Sequence, residues 1–219
     1  MLLPRSTRRD TYEFVEYRRW RAGEVWQLGP FTLTDPYRTV VDIARTTAFR
    51  YALGYVDGLA REYDVEREEL RAYAQANCRG LHGIARAFDV FEHMDGRSDN
   101  GGESEARAAM ILAGVAAPEL QVEITRPGNA GYYLADYGWQ MPNGSWMLAE
   151  LHGLGKFEDD AQNDPEHKAY RAALMRDANL RAMGHNVIHF KLSDTYDVKA
   201  FGSMMRGYGI PTTKPYADS

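Results

Sequence analysis

Residues 134–156 read LADYGWQMPNGSWMLAELHGLGK, two runs of strand-forming residues joined by Pro-Asn-Gly. Side chains alternate faces along a strand, and residues directly opposite each other in an antiparallel pair share a face. If the turn has three residues and Gly144 takes the left-handed conformation, Asp136 stands opposite Glu150. The two carboxylates are then expected to converge on one face of a hairpin.

The register of this hairpin decides that expectation. The three-residue turn also pairs Gly138 with Leu148, and the missing side chain of Gly138 is expected to leave open space beside the acids. A two-residue turn would instead set Leu151 opposite Asp136, because a shift of one residue exchanges the faces of a strand.

Two carboxylates on a rigid hairpin suit Mg²⁺, which takes one or two protein carboxylates and leaves its other positions to water and substrate phosphate. A cation held in this way activates a water molecule and neutralises charge that develops on a scissile phosphate. Lys156 follows the second strand and is expected to position the phosphate or the attacking hydroxide. The alternative is that Asp136 and Glu150 form only the solvated face of a hairpin.

The flanking segments predict the order of the elements. Upstream, Glu103-Ser-Glu-Ala-Arg107 begins a helix in which the first and last of these residues share a face. Downstream, a helix that ends near Gly184 precedes a strand over residues 186–191. The predicted order is helix, three strands, helix, strand.

Several short motifs lie between Glu103 and Asp194. They are Glu103-Ser104 with Arg107, Asp136 with Trp139, Glu150 with Gly153, Lys156-Phe157, and Arg176-Asp177 with Leu180 and Gly184. Together these motifs resemble the restriction-endonuclease-like PD-(D/E)XK superfamily, in particular its very-short-patch-repair-like branch, DUF559. The resemblance covers less than half of the chain.

The resemblance implies a restriction-endonuclease-like α-β-β-β-α-β domain over residues 103–208 that hydrolyses DNA phosphodiester bonds with Mg²⁺ or Mn²⁺. It implies catalytic roles for Glu103, Asp136, Glu150 and Lys156, with Asp136 and Glu150 as metal ligands, and His152 is a candidate third ligand. Relatives commonly have Asp at the position of His152 and Arg at that of His189. An imidazole ligand would favour Mn²⁺ over Mg²⁺, and the alternative is a domain that no longer cuts.

Four arginines are candidate contacts to nucleic-acid phosphates. Arg107 and Arg176 are each expected either to contact phosphate or to pair with Glu103. Arg18 and Arg19 belong to an arginine cluster interleaved with aromatic residues, a composition that suits phosphate binding and base stacking. The alternative for this cluster is a strand with an exposed basic face.

The first 95 residues predict a small strand-plus-helix domain. Alternation indicates strands over residues 12–17 and 31–34, and Asp35-Pro36 then opens the first of several helices. Residues 33–45 resemble the region that follows the winged helix in AbiEi-like type IV antitoxins, and we expect no winged helix here. The polar stretch 95–102 is the predicted domain boundary. At the other end, the tail from Pro211 onward is expected to fray.

Composition narrows the class of protein. The chain has 219 residues, 44% of them hydrophobic, which fits one or two domains, and no apolar run is long enough to span a membrane. The single cysteine, Cys78, excludes an intramolecular disulfide, so a cytoplasmic location is expected. A net charge of −5 argues against a protein that coats nucleic acid indiscriminately.

The sequence therefore predicts an α/β protein with two parts and offers two functions. The first is a metal-dependent DNA endonuclease in a phage-defence or toxin–antitoxin setting, and the same chemistry on RNA is a variant of it. The second is a catalytically inactive, antitoxin-like accessory factor that binds DNA or a protein partner such as a toxin.

Overall fold

A computed structural model describes residues 2–3, 18–19, 25–129, 131–152 and 165–216. The predicted strand over residues 12–17 and the candidate catalytic residue Lys156 lie outside these ranges. Arg18 and Arg19 are described only as strand β2 (Arg18–Arg19), which pairs in parallel with β1 (Leu2–Leu3). Their role as phosphate contacts stays a prediction.

The N-terminal part combines one hairpin with a group of helices. The cap of the first helix is the predicted one: the Asp35 carboxylate accepts the Tyr37 N–H at 2.7 Å, and Pro36 occupies the first turn, where its missing N–H costs little. The elements are β3 (Val25–Leu28) and β4 (Phe31–Thr34), which pair antiparallel, followed by α1 (Pro36–Ala44), α2 (Phe49–Tyr63), α3 (Arg67–Asn77) and α4 (Ile84–Phe91).

The C-terminal part contains a four-stranded mixed sheet, and the α/β class is confirmed. Its strands lie in the order β5-β6-β7-β8, with the first three antiparallel and the last two parallel. The predicted α-β-β-β-α-β order is also confirmed. The elements are α5 (Gly101–Leu112), β5 (Glu119–Thr125), β6 (Tyr132–Gln140), β7 (Trp146–His152), α6 (Pro165–Ala182), β8 (Asn186–Lys191) and α7 (Val198–Gly207). Within the described ranges, every helix is too short or too polar to cross a lipid bilayer.

The turn between β6 and β7 has the predicted three-residue form. Gly144 has a φ of +80°, and the Met141 N–H donates to the Ser145 carbonyl at 2.8 Å across the turn. The predicted pair of Gly138 and Leu148 follows from it. The register is therefore the one in which the position opposite Asp136 belongs to Glu150.

The two faces of the sheet are buried differently. Tyr137, Ala149 and Ile188 belong to a large core that α5 and α7 also build. Leu148 and Val187, which point to the other face because side chains alternate, form a smaller core with Leu180 of α6. Glu150 and His189 continue the alternation of Leu148 and Val187, and so they face α6.

Helix α5 contributes to both halves of the molecule. Ala108 lies in the core of the N-terminal helices, whereas Ala109 lies in the core under the sheet. Between them, Nη2 of Arg107 donates to both carboxylate oxygens of Asp57 in α2 at 2.8 Å, and both residues are buried. Burial raises the pKa of Asp57, and Arg107 opposes the rise. The pair thus cross-links α2 and α5 inside the protein.

This pairing corrects the expectation for Arg107. The predicted partner Glu103 is wrong, since the guanidinium pairs with Asp57. A phosphate contact does not fit either, because Arg107 is only 5% exposed and its charge is already neutralised. The physical reason is that α2 packs over this side of α5, a long-range contact that helical spacing does not reveal.

The C-terminal tail is attached to the fold. The Ala116 N–H donates to the Pro211 carbonyl at 2.9 Å, and the Thr213 N–H donates to the Gly114 carbonyl at 2.8 Å. The ring of Tyr216 lies 4.2 Å from that of Phe49. The expectation that the tail frays from Pro211 is therefore wrong as far as residue 216.

We expect Asp57→Ala to lower the free energy of unfolding by about 3–5 kcal/mol, because it leaves the Arg107 guanidinium buried without its partner. Glu62→Ala, which breaks an exposed ion pair with Arg61 in the same helix, should cost at most about 1 kcal/mol. Urea denaturation followed by circular dichroism measures both values. Equal losses in the two variants would show that the buried pair does not hold α2 on α5.

Candidate functional site

Asp136 lies where the hydrogen-bonded pairing of the sheet is interrupted on both sides. Between β5 and β6 the pairs stop at Leu120 with Tyr137 and resume at Val122 with Ala135, so that Gln121 and Asp136 are passed over. Between β6 and β7 the pairs end with Tyr137 and Ala149, one step before Asp136 and Glu150. Around Asp136, backbone groups of the neighbouring strands therefore need partners other than those of regular strand pairing.

The Asp136 side chain replaces part of the missing pairing. Its Oδ2 accepts the Leu151 backbone N–H at 2.8 Å, so the carboxylate stands where a backbone carbonyl would ordinarily accept. On the other side, Gln121 has a φ of +52°, a conformation that costs a residue other than glycine roughly 1–3 kcal/mol. Backbone strain of this kind is concentrated at functional sites.

Glu103 reaches the same region from the first turn of α5. Its Oε1 accepts from Nδ2 of the helix cap Asn100 at 2.7 Å, and its Oε2 accepts from the Asp99 N–H at 2.8 Å and from Nε2 of Gln121 at 3.2 Å. Because Asn100 also accepts the Glu103 N–H, the two residues form a reciprocal helix cap. Glu103 is 6% exposed and both its oxygens are engaged, so it orders this corner of the site.

Glu150 is held by α6. Its Oε2 lies 2.7 Å from Nη2 of Arg176, and its Oε1 is buried with no hydrogen-bond partner among the described residues. Arg176 therefore pairs with Glu150, and the alternative of a pair with Glu103 is wrong. The reason is the packing of α6 on the face of the sheet that carries Glu150.

Next to this ion pair, Asp177 and His189 form a second polar contact. Oδ2 of Asp177 lies 2.6 Å from Nε2 of His189, and the His189 ring stacks on His152 with centroids 4.6 Å apart and planes at 19°. Three more atoms here are buried without a hydrogen-bond partner in the described part of the chain. These are Nε of Arg176, Oδ1 of Asp177 and Nδ1 of His189.

The three acids share one electrostatic environment. Burial raises the pKa of Glu103, of Asp136 and of Glu150 above the usual carboxyl values. The negative charge of Asp136 further raises the pKa of Glu103 and of Glu150, whereas Arg176 lowers the pKa of Glu150 and of Asp136. Acids whose pKa values are raised by burial and by a neighbouring charge are candidates for functional sites.

The expected open space at Gly138 is absent. A methyl group built on Gly138 would meet Cγ2 of Val122 at 2.9 Å, Trp146 at 3.0 Å and Leu148 at 3.2 Å. That expectation is wrong because neighbouring side chains close over the glycine. Gly138 serves close packing of the sheet, and access to the acids has to come from elsewhere.

A divalent cation fits this donor set only in part. Carboxylate oxygens are the donors that Mg²⁺ and Mn²⁺ prefer, and the buried, unpartnered Oε1 of Glu150 is one such donor. No group of three or more His, Cys, Asp or Glu side chains able to hold a metal ion occurs among the described residues. A cation here would rely on Asp136 and Glu150, with water and substrate completing its coordination.

Two features of the site have no sequence signal that identifies them. Gln121 lies in a strand pattern, and nothing in its neighbourhood indicates a left-handed backbone. Asp177 is visible as the neighbour of Arg176, but its contact with His189 depends on how α6 lies on β8. By contrast, the sequence motifs name Glu103, Asp136 and Glu150, and in the structure the charge of Asp136 raises the pKa of the other two.

Comparison with known proteins adds sequence relatives without an assigned activity. The chain is 36% identical over 106 residues to the uncharacterized proteins Rv2248 and MT2308 of two Mycobacterium tuberculosis strains, H37Rv and CDC 1551. The match covers 48% of this chain and 38% of each relative, so the chain spans well under half the length of these relatives. No family model matches the chain. No solved structure matches it significantly.

We expect Asp136→Asn to raise the free energy of unfolding at pH 7 by about 0.5–2 kcal/mol. Burial raises the pKa of Asp136, so the folded protein binds its proton more tightly than the unfolded chain does, and stability falls as pH rises through the folded pKa. The amide removes this cost and still offers an oxygen to the Leu151 N–H.

The gain should vanish below about pH 4, where the acid is protonated in both states. Urea denaturation from pH 4 to pH 8 measures the effect, with Glu123→Gln on the exposed side of β5 as the control. A stability loss at pH 7 that exceeds the loss in the control would contradict the assignment of Asp136 as a destabilising buried acid.

Proposed function

We propose that this protein is a metal-dependent endonuclease that hydrolyses DNA phosphodiester bonds. The observation that carries the proposal is a group of three acids at a break in the sheet, the buried Glu103 and the partly buried Asp136 and Glu150, whose pKa values are all raised by burial. Burying such groups costs stability, and that cost is typical of residues kept for chemistry. The α-β-β-β-α-β order and the motif resemblance support the same class.

In this proposal Asp136 and Glu150 hold Mg²⁺ or Mn²⁺. The bound cation supplies a nucleophilic water at neutral pH and charge neutralisation at the phosphate. The Leu151 N–H fixes the orientation of the Asp136 carboxylate, and the hydrogen bonds at Glu103 fix the end of α5 against β5. Lys156 is proposed to position the phosphate or the attacking hydroxide.

The substrate in this proposal is DNA, whose phosphates need cationic partners. Arg176 is a partly exposed cation beside the acids, with its side chain 25% exposed. Arg18 and Arg19 are proposed to extend the contact along the backbone. Arg107 is left out of this set because Asp57 neutralises it inside the fold.

A second function is favoured by one specific observation. Arg176 already neutralises Glu150, and a guanidinium in that place suits a site that holds its shape without a metal. A protein of this kind would bind DNA or a partner protein without cutting, as an antitoxin-like or phage-defence accessory factor. One measurement separates the two functions: the endonuclease cleaves DNA in a way that depends on the acids, and the accessory factor does not cleave it.

The test incubates the purified full chain with supercoiled plasmid, linear duplex and single-stranded DNA, each with Mg²⁺, with Mn²⁺ or with EDTA. We expect nicking or linearisation with a divalent cation, and a loss of at least about a hundredfold in rate for Asp136→Asn and for Glu150→Gln. These variants keep the size of the side chains and remove one charge each. Gel electrophoresis over time gives the rates.

Glu123→Gln is the matched control, since it removes one carboxylate charge from the exposed side of the neighbouring strand. Its rate should equal that of the wild type. Cleavage that persists in both Asp136→Asn and Glu150→Gln would place the activity at another site. Binding of DNA without any cleavage, with either cation, would replace the endonuclease by the accessory factor.

A further inference from the structure

The contact between Arg176 and Glu150 uses only part of what an arginine offers. A guanidinium and a carboxylate make their strongest pair through two parallel hydrogen bonds. Here a single close contact joins Nη2 to Oε2 at 2.7 Å, while Nε of Arg176 and Oε1 of Glu150 are both buried without partners among the described residues. The pair is therefore close but incomplete.

A second acceptor for the same guanidinium lies beside it. Oδ1 of Asp177 is 4.0 Å from Nε of Arg176, and it too is buried with no hydrogen-bond partner in the described ranges. A hydrogen bond between these atoms requires a distance near 2.9 Å, so a movement of about 1 Å would form it. The other Asp177 oxygen is fixed by His189 at 2.6 Å, which holds the carboxylate in place.

Arg176 thus stands between two carboxylates that each keep one unpartnered buried oxygen. An unpartnered buried donor or acceptor costs about 1–3 kcal/mol, so Nε of Arg176 and Oδ1 of Asp177 both gain from a rearrangement that pairs them. Removing Arg176 from Glu150 alone would leave a buried carboxylate without a counter-charge. That loss is offset only if another cation takes the place of the guanidinium.

We propose that Arg176 is an exchangeable internal counter-ion: it neutralises Glu150 in the absence of a divalent cation and moves to Asp177 when one binds Glu150. This inference rests on the proposed function, since it concerns the same carboxylates. It makes Arg176 a regulator of metal affinity, and Asp177 the acceptor that receives the displaced guanidinium.

The exchange has two consequences for affinity. The cation must compete with Arg176 for Glu150, so the wild-type protein binds a divalent cation more weakly than a protein without this guanidinium. The displaced Arg176 must find Asp177, so loss of the Asp177 charge makes displacement harder. This weakening by loss of the Asp177 charge requires Arg176. A purely electrostatic effect of removing a nearby negative charge would persist without Arg176.

The experiment titrates Mn²⁺ alone into the full chain by isothermal calorimetry, without DNA. We expect Arg176→Gln to bind Mn²⁺ at least about tenfold more tightly than the wild type. Arg181→Gln removes the same charge from an exposed position of the same helix, 3.8 Å from Asp177, and should change the affinity by less than about threefold. Asp177→Asn should weaken binding in the wild type and have no effect in the Arg176→Gln background.

Circular dichroism verifies that each variant is folded. If Arg176→Gln does not fold, Arg176→Lys keeps the charge but not the planar fork, and it should show a smaller gain in the same direction. Equal affinity in the wild type, Arg176→Gln and Arg181→Gln, with binding lost in Glu150→Gln, overturns the exchange and leaves the metal site of the proposed function intact. Absence of Mn²⁺ binding in all folded variants overturns both.

Discussion

The carboxylate of Asp136 takes the Leu151 N–H that regular strand pairing would give to a backbone carbonyl. A buried N–H must find an acceptor. Because the carboxylate serves as this acceptor, the sheet continues past a point where its hydrogen-bonded pairs are broken on both sides. The same break admits the left-handed Gln121, whose side chain reaches Glu103 on α5. Two hydrogen bonds, Leu151 to Asp136 and Gln121 to Glu103, thus link β7 to β6 and β5 to α5 around the three acids.

The acids can be buried there because the surrounding framework is rigid. The ion pair of Asp57 with Arg107 fixes α2 on α5, and Arg50 adds a second link from α2 to Glu105 at 2.7 Å and to the Thr195 carbonyl at 2.6 Å. The first ion pair is buried and the second partly buried, so each would leave a poorly compensated charge if the helices separated. Two contacts with α2 therefore hold the start of α5, and with it Glu103. This positions an acid whose own hydrogen bonds also cap the helix.

How much of this follows from the sequence depends on the range of the interactions. The register of β6 and β7 was predictable because Pro142, Asn143 and Gly144 specify a turn from local backbone preferences, and the turn fixes every pair beyond it. The partner of Arg107 was not predictable, since Asp57 lies fifty residues away on another helix. The expectation of open space at Gly138 was wrong for the same reason, because the side chains that fill this space come from three strand positions. Local sequence patterns were enough to predict the order of the elements and to name the candidate acids. They were not enough to predict the counter-ions of those acids.

The counter-ion of Glu150 bears on both candidate functions. A fixed pair with Arg176 would give a site that is complete without metal, as the accessory factor requires. An exchangeable pair would give a site that stays neutral until a cation arrives, which limits the cost of burying three acids in the same region. The unpartnered atoms bear on the nature of the pair: a permanent pair would be expected to use two parallel hydrogen bonds, yet Nε of Arg176 faces Oδ1 of Asp177 across 4.0 Å. The geometry of α6 therefore supports the proposed exchange of Arg176 between Glu150 and Asp177.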